Sequence, residues 1–309
     1  MAFAHTPYDG ATAPFTIGLK PLDLAGWLEI DGDYEAYLAE KDRLIAERPG
    51  DVFAAEPGTE DAQAEVLELV VDHLVRGWAT IFPGRSQWDH LGERLPRFQT
   101  HGSDEPRLQI AARFVQEDLV LMRRSEDGWR LVAASLCFPS SWSLAEKFGR
   151  PLVDIHEPVP GFGRGTRPAE LIERMFDKLA VGRPVWRFNW SLAVEPSLYL
   201  PLSAVQRRTR ADEGRSRFGG DPLAAGFIRI ERQTLRKLPR SGDILFTIRI
   251  HVDPLAALEK HEGGAQLASG LADQLAALDA AQLDYKGLAA DRDRLVDQLR
   301  AVASGQSAV

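Results

Sequence analysis

The chain reads as an α+β fold, a mainly antiparallel sheet flanked by helices. Three observations carry this reading. Leu119–Arg123 with Trp129–Phe138, and Phe227–Leu238 with Ile244–Val252, alternate in side-chain character and are joined by the turns Ser125-Glu126-Asp127-Gly128 and Pro239-Arg240-Ser241-Gly242. Those are two antiparallel hairpins. Other stretches repeat their apolar residues every three or four positions, as amphipathic helices do. At 309 residues, 44% hydrophobic and 27% charged, the chain is long enough for one large core or two small ones.

Taken in order, residues 1–14 are small, polar and proline-containing and are expected to form a loose N-terminal arm. Phe15–Leu19 forms a short strand or an arm over the core. Residues 33–48 are a helix capped at Asp33 and stopped by Pro49-Gly50. A stronger helix starts at Thr59, with the stripe Val66, Leu67, Val70, Val71 and Leu74, and ends at Gly77. His73 on that helix is expected to be partly exposed. Residues 78–118 are loop-rich, and His90 and His101 there have no partner at the short spacing a zinc site needs.

In the strand ending at Phe138, Leu131, Ala133, Ser135 and Cys137 share one face and Val132, Ala134, Leu136 and Phe138 the other. Both faces are largely apolar, so both are covered. Pro139 ends the strand. A short helix, Trp142–Phe148, follows, capped by Ser140 or Ser141 and closed by Gly149. From Pro151 the chain is expected to be extended, with Pro158 and Pro160 biasing His156–Gly161 away from helix. An imidazole on such a stiff loop has two roles open to it: a hydrogen bond to nearby backbone, or a metal ligand.

The glycines of Gly161–Gly165 lack the strand-to-helix setting of a nucleotide-binding fingerprint. Arg167–Leu179 is a helix with Pro168 in its first turn. In the strand Val185–Val194, Trp186, Phe188, Trp190, Leu192 and Val194 oppose Arg187, Asn189 and Ser191, which face either a pocket or solvent. The loop 203–221 carries Arg207, Arg208, Arg210, Arg215 and Arg217 against Asp212 and Glu213, a solvated surface or a docking patch for an acidic redox partner. In the second hairpin Ile228 and Ile230 share parity with Arg232 and Arg236. A buried arginine needs an anion. Glu231 has the wrong parity, which leaves a ligand carboxylate or, if the strand frays, water. Residues 265–302 form two helices broken near Leu283–Gly287.

Composition excludes several classes. A single cysteine, Cys137, rules out an internal disulfide framework and an all-cysteine iron–sulfur cluster within one chain, and fits a reducing compartment. The net charge of −8 argues against general nucleic-acid binding. No bilayer-length apolar run and no leader pattern are present, so a cytoplasmic location without a membrane is expected.

Three segments, SLCFPSSWSLAEKFGRPLVDIHEPVPG at 135–161, RFNWSL at 187–192 and RIERQTLRKLPRSGDILFTIRIHVDPL at 229–255, in this order resemble the haem-dependent oxidative N-demethylase alpha-subunit family over roughly residues 15–260. The resemblance implies a PAS-like haem-binding catalytic domain over 15–262, followed by a C-terminal helical extension over 263–309. It implies oxidation of an N-methyl group of a small methylated amine by dioxygen, with release of formaldehyde. Without a Cys-x-x-Cys-His motif the cofactor would be noncovalent haem b. His156 is the expected axial metal ligand, with Cys137 as competitor. Arg232 and Arg236 are expected at the haem propionates or pocket wall, and Asn189, Arg187 and Trp190 at the catalytic pocket. Electrons would come from a reductase partner carrying flavin and an iron–sulfur centre. A haem-based sensor and a haem-free scaffold are the alternatives.

Overall fold

The computed structural model describes residues 3–11, 13–81, 104–203, 205, 206, 209 and 215–306. His90, His101, Arg207, Arg208, Arg210, Asp212 and Glu213 lie outside the described residues.

One antiparallel sheet organises the chain. Its strands are β1 (Lys20–Pro21), β2 (Phe53–Ala55), β3 (Asp118–Ser125), β4 (Gly128–Ser135), β5 (Val185–Ala193), β6 (Phe227–Lys237) and β7 (Ile244–Pro254), in the spatial order β1-β5-β6-β7-β3-β4-β2. The predicted hairpins are β3–β4 and β6–β7, paired through Ser125↔Gly128 and Lys237↔Ile244 at their turns. The helices are α1 (Tyr34–Glu47), α2 (Pro49–Val52), α3 (Glu60–Ile81), α4 (Arg107–Ala112), α5 (Leu144–Lys147), α6 (Leu152–His156), α7 (Arg167–Lys178), α8 (Pro222–Ala225), α9 (Gly264–Ala276), α10 (Ala280–Lys286) and α11 (Arg292–Ala303). No described helix is long and apolar enough to cross a membrane.

The two faces of the sheet are covered differently. On one face, α3 and α4 bury Leu119, Leu121, Val132 and Leu245, while α9 to α11 bury Trp190, Leu192, Ile228 and Ile230. Strand alternation sends the other residues to the opposite face, where α5, α6 and α7 pack against Val120, Met122, Leu131 and Leu235. The cavity described below lies on that second face.

Several local expectations need correction. Pro49-Gly50 does not stop the chain from coiling: Pro49 opens α2, where its missing N–H is no loss. Likewise α3 runs through Gly77, a residue that weakens a helix without ending it. The alternation along β4 breaks at a bulge: Leu121 pairs with Ala133 and Met122 with Leu131, which leaves Val132 as the extra residue. Leu131 and Ala134 therefore pack into one core and Val132 and Ala133 into the other. The strand ends at Ser135, and α5 starts only after Ser143. The C-terminal segment is three helices, since Asp279 builds a capping box for α10 and Gly287, at φ 64°, ends it.

The arm expected to be loose is docked. Tyr8 is fully buried in the core formed with α9 to α11. Gly270 lets the arm come this close: a Cβ there would meet the Asp9 carbonyl carbon at 2.6 Å. The C-terminal helices are thus part of one continuous packing with the arm and the sheet.

Candidate functional site

The cavity-facing side of the sheet is built by register. β5 pairs with β6 so that Arg187 sits beside Gln233, Asn189 beside Glu231 and Ser191 beside Arg229. Because side chains alternate, all six point to the same face. Five of them, Arg187, Asn189, Ser191, Glu231 and Gln233, form the polar wall of a cavity of about 290 Å³, near the lower end of the range for ligand pockets. The remaining sheet wall is apolar, from Val120, Met122, Leu131, Leu235, Phe246 and Ile248. Ile155, Phe162, Ile172 and Phe176 close the far side. Phe15, Thr16, Ile17 and Leu19 line it as an arm, and strand pairing begins only beyond that arm, at Lys20–Pro21. Two non-glycine residues with left-handed backbone, Phe15 (φ 58°) and Ser141 (φ 60°), both line this cavity. Left-handed backbone costs an L-residue about 1–2 kcal/mol.

His156 lines the cavity, but from the last residue of α6 rather than from an extended loop. A proline restrains only the residue directly before it, so Pro158 cannot act on His156. Even Glu157 is right-handed helical, at φ −47° and ψ −41°. The helix does what the loop was expected to do. It sets His156 Nδ1 at 3.0 Å from the Leu152 carbonyl, to which that nitrogen donates. The ring proton is held on Nδ1, and Nε2 keeps its lone pair. Burial, with the Lys147 cation nearby, pushes the imidazole down to about 4, so it is neutral at neutral pH.

The charges around the cavity are unusual in kind. Glu231 accepts from Gln233 Nε2 at 2.8 Å and from Asn189 Nδ2 at 3.4 Å. Arg187 donates to the Phe188 carbonyl at 3.4 Å, and burial pushes its guanidinium down despite the Glu231 charge. Lys286, at the end of α10, donates to the Trp190 carbonyl at 2.7 Å and lies over the Trp190 and Phe15 rings. Burial pushes its ammonium down to about 8. Lys147 also borders the cavity, 3.9 Å from the Trp142 ring centre. Among the described residues none of Arg187, Glu231 and Lys286 has an ion-pair partner at contact distance.

The structure brings His156, Arg187 and Asn189 together and separates the other expected residues from them. Trp190 touches the cavity, but its indole turns to the α9 layer and donates to Gln274 Oε1 at 2.9 Å. Arg232 and Arg236 lie on the opposite face. The anion expected for Arg232 is Glu29, 3.0 Å away, with the Gly26 and Trp27 carbonyls completing its shell. Arg236 stacks on Trp27 at 4.2 Å. No ligand carboxylate is needed there. Cys137 is fully buried away from the cavity, and burial beside Asp118 pushes its thiol up to about 12. It does not line the cavity that His156 faces. His73 packs edge-on against Trp27 at 5.3 Å, also on the far face.

Glu231, Gln233, Lys147 and Lys286 were missed. The signal for Glu231 and Gln233 was present: polar residues at one parity on two neighbouring strands, opposite bulky ones. Parity correctly separated Glu231 from Arg232, but nothing local says which face holds the cavity. Lys147 and Lys286 reach the site only through tertiary packing.

The donor set suits a haem. The cavity offers a neutral imidazole with a free Nε2, apolar walls for the ring, and cations for carboxylates. The family described as haem-dependent oxidative N-demethylase, alpha subunit-like, matches residues 18–296, which takes in His156, the β5–β6 wall and Lys286. The chain therefore belongs to the haem-dependent oxidative N-demethylase alpha-subunit-like family.

Proposed function

We propose that this chain binds haem b in a PAS-like pocket and oxidatively demethylates a small methylated amine. The observation that carries the reading is His156: a neutral imidazole, with Nδ1 fixed to the Leu152 carbonyl, at the wall of an apolar cavity bordered by cations. When bound, haem supplies the oxidation, in which one oxygen of O2 goes to the N-methyl carbon and the other to water with two electrons and two protons, giving formaldehyde and the demethylated amine.

The chain's own residues do the rest. His156 Nε2 would hold the iron, its ring plane set by the Nδ1 hydrogen bond to the Leu152 carbonyl. Arg187, Lys147 and Lys286 are the cations available to the propionates, replacing Arg232 and Arg236 in that role. Glu231 takes the cationic nitrogen of the amine, and Asn189 and Gln233 orient its carboxylate. Phe15 and its neighbours exclude water from above. One cysteine cannot hold an all-cysteine iron–sulfur cluster on this chain, and the two electrons come from a reductase partner carrying flavin and an iron–sulfur centre.

An absorption spectrum of the purified chain, oxidised and then reduced under carbon monoxide, tests this. A Soret band at the position of histidine-ligated haem is expected. A thiolate-type shift, or no band after hemin is added, overturns it.

A further inference from the structure

On the sheet face opposite the cavity, three ligand-type side chains converge from distant parts of the sequence. His5 comes from the N-terminal arm, Glu29 from the loop after the turn Leu24–Gly26, and His251 from β7. The nitrogen and oxygen atoms they offer all lie within 4.8 Å of one another. His5 Nε2 is 3.0 Å from both Glu29 oxygens, and His251 Nε2 is 3.1 Å from Oε2.

We propose that His5, Glu29 and His251 form a binding site for a divalent transition-metal ion, of which Zn2+ is the natural probe. Two imidazoles and one carboxylate are a donor set such ions take, with the remaining position left to water. At zinc–ligand distances of about 2.0–2.1 Å, neighbouring donors of a tetrahedral site stand about 3.3 Å apart. The two histidine–carboxylate contacts are already within a few tenths of an ångström of that. His5 is on the arm, so it is the ligand that can close the remaining gap. Each ring accepts the ion once its proton moves to Nδ1.

The carboxylate is held ready. The Glu29 backbone N–H donates to Glu117 Oε1 at 2.7 Å, and Arg232 Nε holds Glu29 Oε1 at 3.0 Å, which leaves Oε2 toward the histidines. Such partners behind a ligand set its orientation. Arg232 neutralises one carboxylate, but a second stands beside the cluster. Asp253 is two residues beyond His251 on the same face of β7. Its Oδ2 is buried without a hydrogen-bond partner, as is the neighbouring Tyr8 hydroxyl. A metal-bound water would supply the donor that this oxygen lacks. Bound there, the ion ties the N-terminal arm to the sheet, upstream of the stretch that covers the cavity.

Calorimetric titration of the chelator-stripped full chain with Zn2+ tests the site without interference from haem absorption. One Zn2+ per chain is expected. His5→Ala, on the docked arm, should weaken it at least about 100-fold, more than loss of an outer partner does, while circular dichroism confirms the fold. His251→Gln should do the same, and His156→Ala, on the other face, should bind as the parent does. No binding by the parent chain, parental affinity in His5→Ala, or loss of binding in His156→Ala each overturns the proposal.

Discussion

Glu231 and Arg232 are neighbours on β6 and meet opposite surroundings. Arg232 is closed in by a carboxylate and two backbone carbonyls. The same face carries Arg249, fully buried, with Asp31 at 2.6 Å and the Tyr37 ring at 4.2 Å. Arg232 and Arg249 are each matched by a carboxylate within the fold. On the cavity face, Glu231 has two amides for partners, and Arg187 and Lys286 donate only to carbonyls. Burying charge around open volume without pairing it is costly and does not serve the fold. Burial alone does not distinguish a structural charge from a functional one; what each charge meets does.

The largest expected effect breaks the matched face. Arg232→Ala leaves Glu29 without its cation and should cost about 3 kcal/mol, the low end for a broken buried pair because Glu29 is a quarter exposed. Denaturant midpoints measure this, and the Soret band per folded chain should not change. An unmoved midpoint would mean that this face does not hold the fold. On the cavity face the pattern should invert. His156→Ala should reduce haem retention about 100-fold, read by hemin titration, with a midpoint near that of the parent. Glu231→Gln should be milder, about a tenfold loss in kcat/KM for the amine, or about 1.4 kcal/mol, with an unchanged Soret position.

A further effect concerns protons. In the native chain the His156 imidazole is pushed from 6.5 down to about 4. Between those values the unfolded chain takes up a proton that the native site refuses, so this contribution to stability is present above pH 6.5 and declines as pH falls toward 4. Thermal unfolding of the apo chain from pH 7 to pH 4 should show a steeper loss than His156→Gln. Parallel curves would place the imidazole in contact with water.

The sequence exposed long periodic elements and hid short or crossing ones. The β3–β4 and β6–β7 hairpins were legible because many alternating residues flank a turn. β1 and β2, of two and three residues, are too short to show a period. The bulge at Val132 was hidden because both faces of β4 are apolar, so slipping the register changes no polarity. His156 was found as a residue and misread as a conformation, since proline was credited with restraining more than one predecessor. Arg187 and Asn189 were found through strand parity. The partner of Arg232, Glu29, was not legible because it is some 200 residues earlier, at a distance no local pattern reports.

The cavity draws its walls from Phe15 near one end of the chain and from Tyr285 and Lys286 near the other. A growing polypeptide emerges from its N-terminus, so the pocket cannot close until α10 has left the ribosome. Closure of the cavity thus follows synthesis of α10, and products truncated before it would carry His156 without a complete cavity around it.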